Sequence, residues 1–150
     1  MEDIGYWSDA WLFGLPVVAA TVVVHVLVLA NVRGAALRPP DAWHAPWLGA
    51  RLHFAAVMGV VTVLVTVLHL LQATLWAALY VLVGALPSPH LAMLYSLNAL
   101  TAYGRAPVDL APAWQMLGAL EALNGLILFG LSTAFLYGIL TRAWPVAQAE

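Results

Sequence analysis

Leu91-Ala92-Met93-Leu94-Tyr95-Ser96-Leu97-Asn98-Ala99-Leu100, followed at once by Thr101-Ala102-Tyr103-Gly104-Arg105-Ala106-Pro107, is the stretch on which the fold turns. The first part is apolar and helix-forming. At about 1.5 Å per residue it makes a helix of roughly 15 Å, half the ~30 Å hydrocarbon core of a bilayer. The second part carries glycine and proline and does not continue a helix. A short apolar helix that gives way to irregular backbone reads as a re-entrant segment. Such backbone is tolerated at membrane depth only inside protein or along a water-filled cavity.

Long apolar runs flank this stretch. The first goes from Phe13 to Val32 and is interrupted only by Thr21, His25 and, at its end, Asn31. Arg38-Pro39-Pro40-Asp41-Ala42-Trp43-His44-Ala45-Pro46-Trp47 then forms a loop, with tryptophans suited to the interface. The second run, Leu52 to Leu86, would be about 50 Å long as one helix, so it must tilt or protrude. Thr62, Thr66 and His69 fall at i, i+4 and i+7 on it, a polar stripe expected to face protein. The last run extends from Trp114 to Trp144, between Pro112 and Pro145, with a small-residue face at Gly118, Ala122 and Gly125. The chain therefore divides into an N-terminal segment 1–12, a span 13–32, a loop 33–51, and a module 52–142. The module holds an outer helix 52–86, a short helix 90–100, a loop 101–107 and an inner helix 113–142. A tail 143–150 follows.

The composition agrees. Of 150 residues, 64% are hydrophobic and 8% charged, with mean hydropathy +0.93. That is too little charge to cover a water-facing surface, which excludes a soluble globular domain. The five basic residues are all arginine and the net charge is −2, which excludes a nucleic-acid partner. There is no cysteine, hence no disulfide or thiolate metal site. Glu2, Asp3 and Asp9 do not suit a signal peptide. Arg33, Arg38 and Arg51 share one loop and Arg142 follows the last span, so the positive-inside rule puts both in the cytoplasm. The N-terminus is then outside and the C-terminus inside, with Arg105 the one exception to the charge pattern. Hydrolase and phosphate-loop motifs are missing, and an enzyme is not expected.

Span, short helix, irregular loop, span resembles the pore module of the potassium channel superfamily. Leu68-His69-Leu70-Leu71 through Leu75-Trp76-Ala77-Ala78-Leu79-Tyr80 is similar to the outer helix of small prokaryotic pore-loop channels. Leu94-Tyr95-Ser96-Leu97 is similar to their pore helix, and Leu117-Gly118-Ala119-Leu120-Glu121-Ala122-Leu123-Asn124-Gly125 to their inner helix. The first span resembles the extra N-terminal helix that some members carry. The resemblance implies an all-α membrane protein with three transmembrane helices, a re-entrant pore helix and a filter-like loop. It also implies a homotetrameric pore in the bacterial inner membrane. Its partners would be the bilayer and permeating monovalent ions, with no other cofactor and no metal. A non-transporting protein, such as a haem-binding or assembly subunit, is the alternative.

The filter-like loop departs from the family's Thr-Thr-x-Gly-Tyr-Gly-Asp. In a gapless register Thr101, Ala102, Tyr103, Gly104, Arg105, Ala106 and Pro107 occupy it, and only the first glycine is kept, as Gly104. Potassium filters need backbone that turns carbonyls inward, and glycine supplies it. Ala106 and Pro107 oppose that geometry, and Arg105 adds positive charge. Arg105 either lines the pore or pairs with Asp109. The expected conduction is weakly selective or altered. Glu121 is the only acid inside an apolar span, and Asn124 lies one turn on. Together they are expected to support the pore loop from behind. Gly125 and Gly130, with Ser132 and Thr133, are candidates for a hinge and cavity lining, against plain helix packing. His25 and His69 can meet across helices, where hydrogen-bonded core histidines are expected rather than metal ligands.

Overall fold

The computed structural model describes residues 3–36, 50–104 and 108–143. Every regular element among them is helical. The order is α1 (Asp3–Ala36), α2 (Ala50–Leu82), α3 (Pro89–Leu100), one 3-10 turn (Pro112–Trp114) and α4 (Gln115–Ala143). Three segments are long and apolar enough to cross a membrane: Ser8–Ala36, Leu52–Leu82 and Pro112–Arg142. At 29 to 31 residues each, they exceed the ~20 residues a bilayer core requires, so the bundle tilts or extends beyond it.

Side-chain contacts fix the topology. Gly14 of α1 packs on Leu117 and Leu120 of α4, and His25 lies beside Ser132. Both helices therefore run the same way. On α2 the order is reversed, with Val61 and Val65 near Leu29 and Ile139, and Trp76 and Tyr80 near Ala10 and Leu117. The apolar core has three layers. One lies at the end where α1 and α4 begin and contains Trp76, Tyr80, Ala92 and Leu117. A middle layer holds Ala73, Leu100 and Leu128, and the far end holds Leu29, Val61, Val65, Leu68 and Ile139.

Element boundaries differ from the sequence reading for local reasons. Helix α1 starts at Asp3 rather than Phe13, and Ala10 is fully buried in the first core layer. Helix α2 stops at Leu82 because Gly84, at φ 71°, closes it. The Ala85 N–H donates to Tyr80 O (2.8 Å) and the Gly84 N–H to Val81 O (3.1 Å), a Schellman cap with glycine at its left-handed position. The polar stripe also reads differently in the single chain. Thr62 and Thr66 are exposed, and each hydroxyl donates to the carbonyl one turn back. Only His69 of that stripe faces the bundle.

Candidate functional site

Helix α3 begins at a built cap. The Ser88 Oγ accepts the Leu91 N–H at 3.3 Å, and Pro89 occupies the first turn, where a missing N–H costs nothing. From there α3 descends between α2 and α4. Gly118 makes room for the Tyr95 ring, which meets Tyr80 edge-on at 5.3 Å. Gly125 receives the Leu100 carbonyl on its bare Cα. Gly125 lies ten residues, about 15 Å, into the 29-residue α4, so α3 ends about a third of the way along it. The chain then returns, because the Ala111 N–H donates to Ala85 O at 3.4 Å, beside the start of α3.

Glu121 of α4 ties α3 to α2. It is fully buried, and its two carboxyl oxygens serve different helices. Tyr80 Oη on α2 donates to Oε2 at 2.5 Å, and Ser96 Oγ on α3 contacts Oε1. Ser96 also reaches Ala73 O on α2 at 2.7 Å. Asn124, placed with Glu121 by sequence, turns elsewhere. Its Nδ2 donates to Thr21 Oγ1 on α1 at 2.9 Å, and its Oδ1 is buried without a partner.

At the tip, α3 closes with the same cap as α2 but without glycine. Tyr103 N–H donates to Asn98 O (3.0 Å) and Ala102 N–H to Ala99 O (2.8 Å). The left-handed position is held by Ala102 at φ 53°, where a Cβ costs about 1–2 kcal/mol. Gly104 is also left-handed, at φ 72°. Thr101, Ala102, Tyr103 and Gly104 are all exposed, and a shallow depression of about 360 Å³ lies between Leu97, Asn98, Thr101 and Tyr103. Arg105, Ala106 and Pro107 lie outside the described residues.

A second polar cluster occupies the bundle interior. Gln72 Nε2 donates to Thr21 O at 3.1 Å, and the same amide faces His25 Nδ1 with both its atoms, Nε2 at 3.1 Å and Oε1 at 3.3 Å. His25 Nε2 is 2.9 Å from Ser132 Oγ, and His69 Nε2 is 3.1 Å from the same oxygen. The two imidazole rings sit 5.2 Å apart, and His69 stacks on Phe129 at 4.3 Å. Ser132 thus belongs to this cluster. Gly130 and Thr133 are exposed, with open space around Gly130 and the Thr133 hydroxyl donating to Phe129 O. Among the described residues no three His, Asp or Glu converge as a metal site.

Sequence reasoning picked out Glu121 but missed its partners Tyr80 and Ser96, and it missed Gln72. Gln72 is the only side-chain amide on α2, a signal comparable to that of Glu121. Tyr80 carried none, since an aromatic near the end of a span is ordinary interface chemistry. No family model, no curated protein and no solved structure matches this chain.

Proposed function

We propose that the chain is the subunit of a homotetrameric pore-loop ion channel with a non-standard filter and weak or altered ion selectivity. The observation that carries this reading is the tip of α3. It ends about 15 Å into the bundle, with Thr101 to Gly104 exposed on the single chain. Exposed irregular backbone at that depth is not stable against lipid and must meet protein or water. One half-helix per subunit cannot enclose a pathway, so closed rotational symmetry supplies the remaining walls. The left-handed Ala102 fits a loop whose backbone direction matters more than its local energy. The anchor from Glu121 to Ser96 and Tyr80 fixes where that loop sits.

In this reading the N-terminus is outside, the arginine-bearing loop and the C-terminus are cytoplasmic, and α3 enters from outside. The membrane is the bacterial inner membrane. Arg105, Ala106 and Pro107 replace the residues that would build a potassium-selective filter, so discrimination among monovalent cations is weak. The test is an ion-flux panel on reconstituted protein, with oligomer mass measured on the same sample. A tetramer that passes potassium and sodium alike supports the reading. A monomer with no flux above that of empty liposomes rejects it.

A further inference from the structure

Three oxygen-to-oxygen contacts meet around Glu121. Tyr80 Oη on α2 lies 2.5 Å from Glu121 Oε2, and Ser96 Oγ on α3 meets Oε1. The same Ser96 Oγ lies 2.7 Å from Ala73 O on α2. Each contact needs a proton of its own, because two bare oxygens at such a distance repel. Tyr80 brings one hydroxyl proton and Ser96 another, while Ala73 O is a carbonyl and brings none. Two hydroxyl protons do not serve three contacts. A single Ser96 proton shared between Ala73 O and Oε1 would lie off the line to both, and hydrogen bonds weaken steeply as they bend. The third proton is therefore on the carboxyl. Ala73 O takes the Ser96 proton, Glu121 Oε1 donates its own to Ser96 Oγ, and Oε2 accepts from Tyr80.

We propose that Glu121 is a proton-binding site: in the folded chain at neutral pH it holds a proton and seats α3 as a neutral acid. The carboxyl is fully buried, and an unpaired carboxylate in an apolar interior is costly enough that the group takes up a proton instead. Among the described residues no cation faces it. The titratable groups packed around it are Tyr80 of α2 and Tyr95 of α3, which are neutral phenols at this pH. Helix α1 and the segment before α4 reach this layer through Ala10 and Leu110, and their charged neighbours, Asp9 and Asp109, are exposed acids. His90 is exposed, six residues before Ser96 and about 9 Å from it along α3. His69 is eleven residues, about 16 Å, from Tyr80 on α2, and Arg142 is roughly 32 Å along α4. Loss of the proton would leave Oε1 and Ala73 O competing for the one Ser96 hydroxyl. Helix α3 would then give up either its tie to α4 or its tie to α2 at that residue, and an unpaired charge would be buried beside it.

Glu121 holds this proton whether or not a pore forms, and the test needs no flux. Infrared spectra of the purified full chain at neutral pH are compared with those of Glu121→Gln. Glutamine offers one acceptor and a donor, the pattern of the neutral acid, so the fold is expected to survive. The other six acidic side chains lie outside the apolar runs 13–32, 52–86 and 114–144. The wild type is expected to show the carbonyl stretch of a protonated carboxyl, shifted down in heavy water, and Glu121→Gln to lose it. If the wild type lacks that band, or the substitution removes only carboxylate bands, Glu121 is ionised and the proposal fails. If Glu121→Gln does not fold, the wild type decides alone. Unfolding it at the same pH should abolish the band, because a carboxyl in water is ionised there. A band that survives unfolding overturns the proposal.

Discussion

Gly125→Ala and Gly130→Ala make the same chemical change on the same helix, and the structure gives them opposite signs. Each replacement removes glycine from a helix interior, which favours the folded state by about 1 kcal/mol. At Gly130 a new Cβ meets nothing within 4 Å, so that gain stands alone. At Gly125 the same atom would fall on the Leu100 carbonyl, 2.7 Å from its carbon and 3.0 Å from Leu100 Cα. Those are backbone atoms of the last turn of α3, and they cannot move aside as a side-chain tip would. Overpacking of this kind costs typically 1–3 kcal/mol. The strain must also push the α3 tip away from α4, or loosen Ser96 from Glu121 one turn higher. The expected result is a net loss of up to about 2 kcal/mol for Gly125→Ala, against a gain of up to about 1 kcal/mol for Gly130→Ala. For a chain of this size that separates the two Tm values by roughly 5–10 °C in the same detergent. If the two variants melt together, α3 does not rest on Gly125, and the argument for a half-helix ending at that depth fails.

Other outcomes follow from the same geometry. Glu121→Ala leaves the buried Tyr80 hydroxyl without its acceptor and should cost about 1–3 kcal/mol in thermal stability. Glu121→Gln should be milder, since it keeps an acceptor for Tyr80 and offers an N–H to Ser96, which can still donate to Ala73. Equal losses would show that the hydrogen bonds are not what anchors α3. Ala102→Gly should stabilise the folded chain by up to about 1 kcal/mol, and Gly84→Ala should destabilise it by about as much, because both occupy left-handed cap positions. A destabilising Ala102→Gly or a stabilising Gly84→Ala in a denaturation series would contradict the two caps. Single cysteines at Ser8 and Gln148, treated on intact cells with an impermeant thiol reagent, should label at Ser8 only. Labelling at Gln148 alone would reverse the orientation.

The three long helices and the short α3 were legible because each rests on a count. Runs of apolar residues either reach membrane length or do not, and Leu91–Leu100 does not. Helix ends were less legible. Asp3, Tyr6 and Trp7 look like surface and interface residues, yet helix geometry continues through them, since a helix needs only compatible backbone and Ala10 supplies a buried contact. The polar interior was half visible. Glu121 stood out by charge, but which helix it serves depends on its rotation within the bundle, which no local pattern reports. Asn124 is three residues on and still points to α1, because neighbours at i+3 share a face without sharing a partner. His25 and His69 were weighed as a pair that could meet. Their meeting point, Ser132, was read as a possible cavity wall because a serine near a glycine carries no signal of its own.

The central claim is that four copies of this chain enclose an ion pathway whose loop does not select strongly for potassium. The most direct measurement is the reversal potential of the purified wild-type chain in a planar bilayer, with potassium on one side and sodium on the other. The account predicts a measurable conductance that reverses close to zero. It further predicts that Arg105→Tyr, Ala106→Gly and Pro107→Asp together move the reversal toward the potassium equilibrium potential. A wild-type reversal already close to that potential would contradict the reading of the loop, and a bilayer with no conductance at all would contradict the pore.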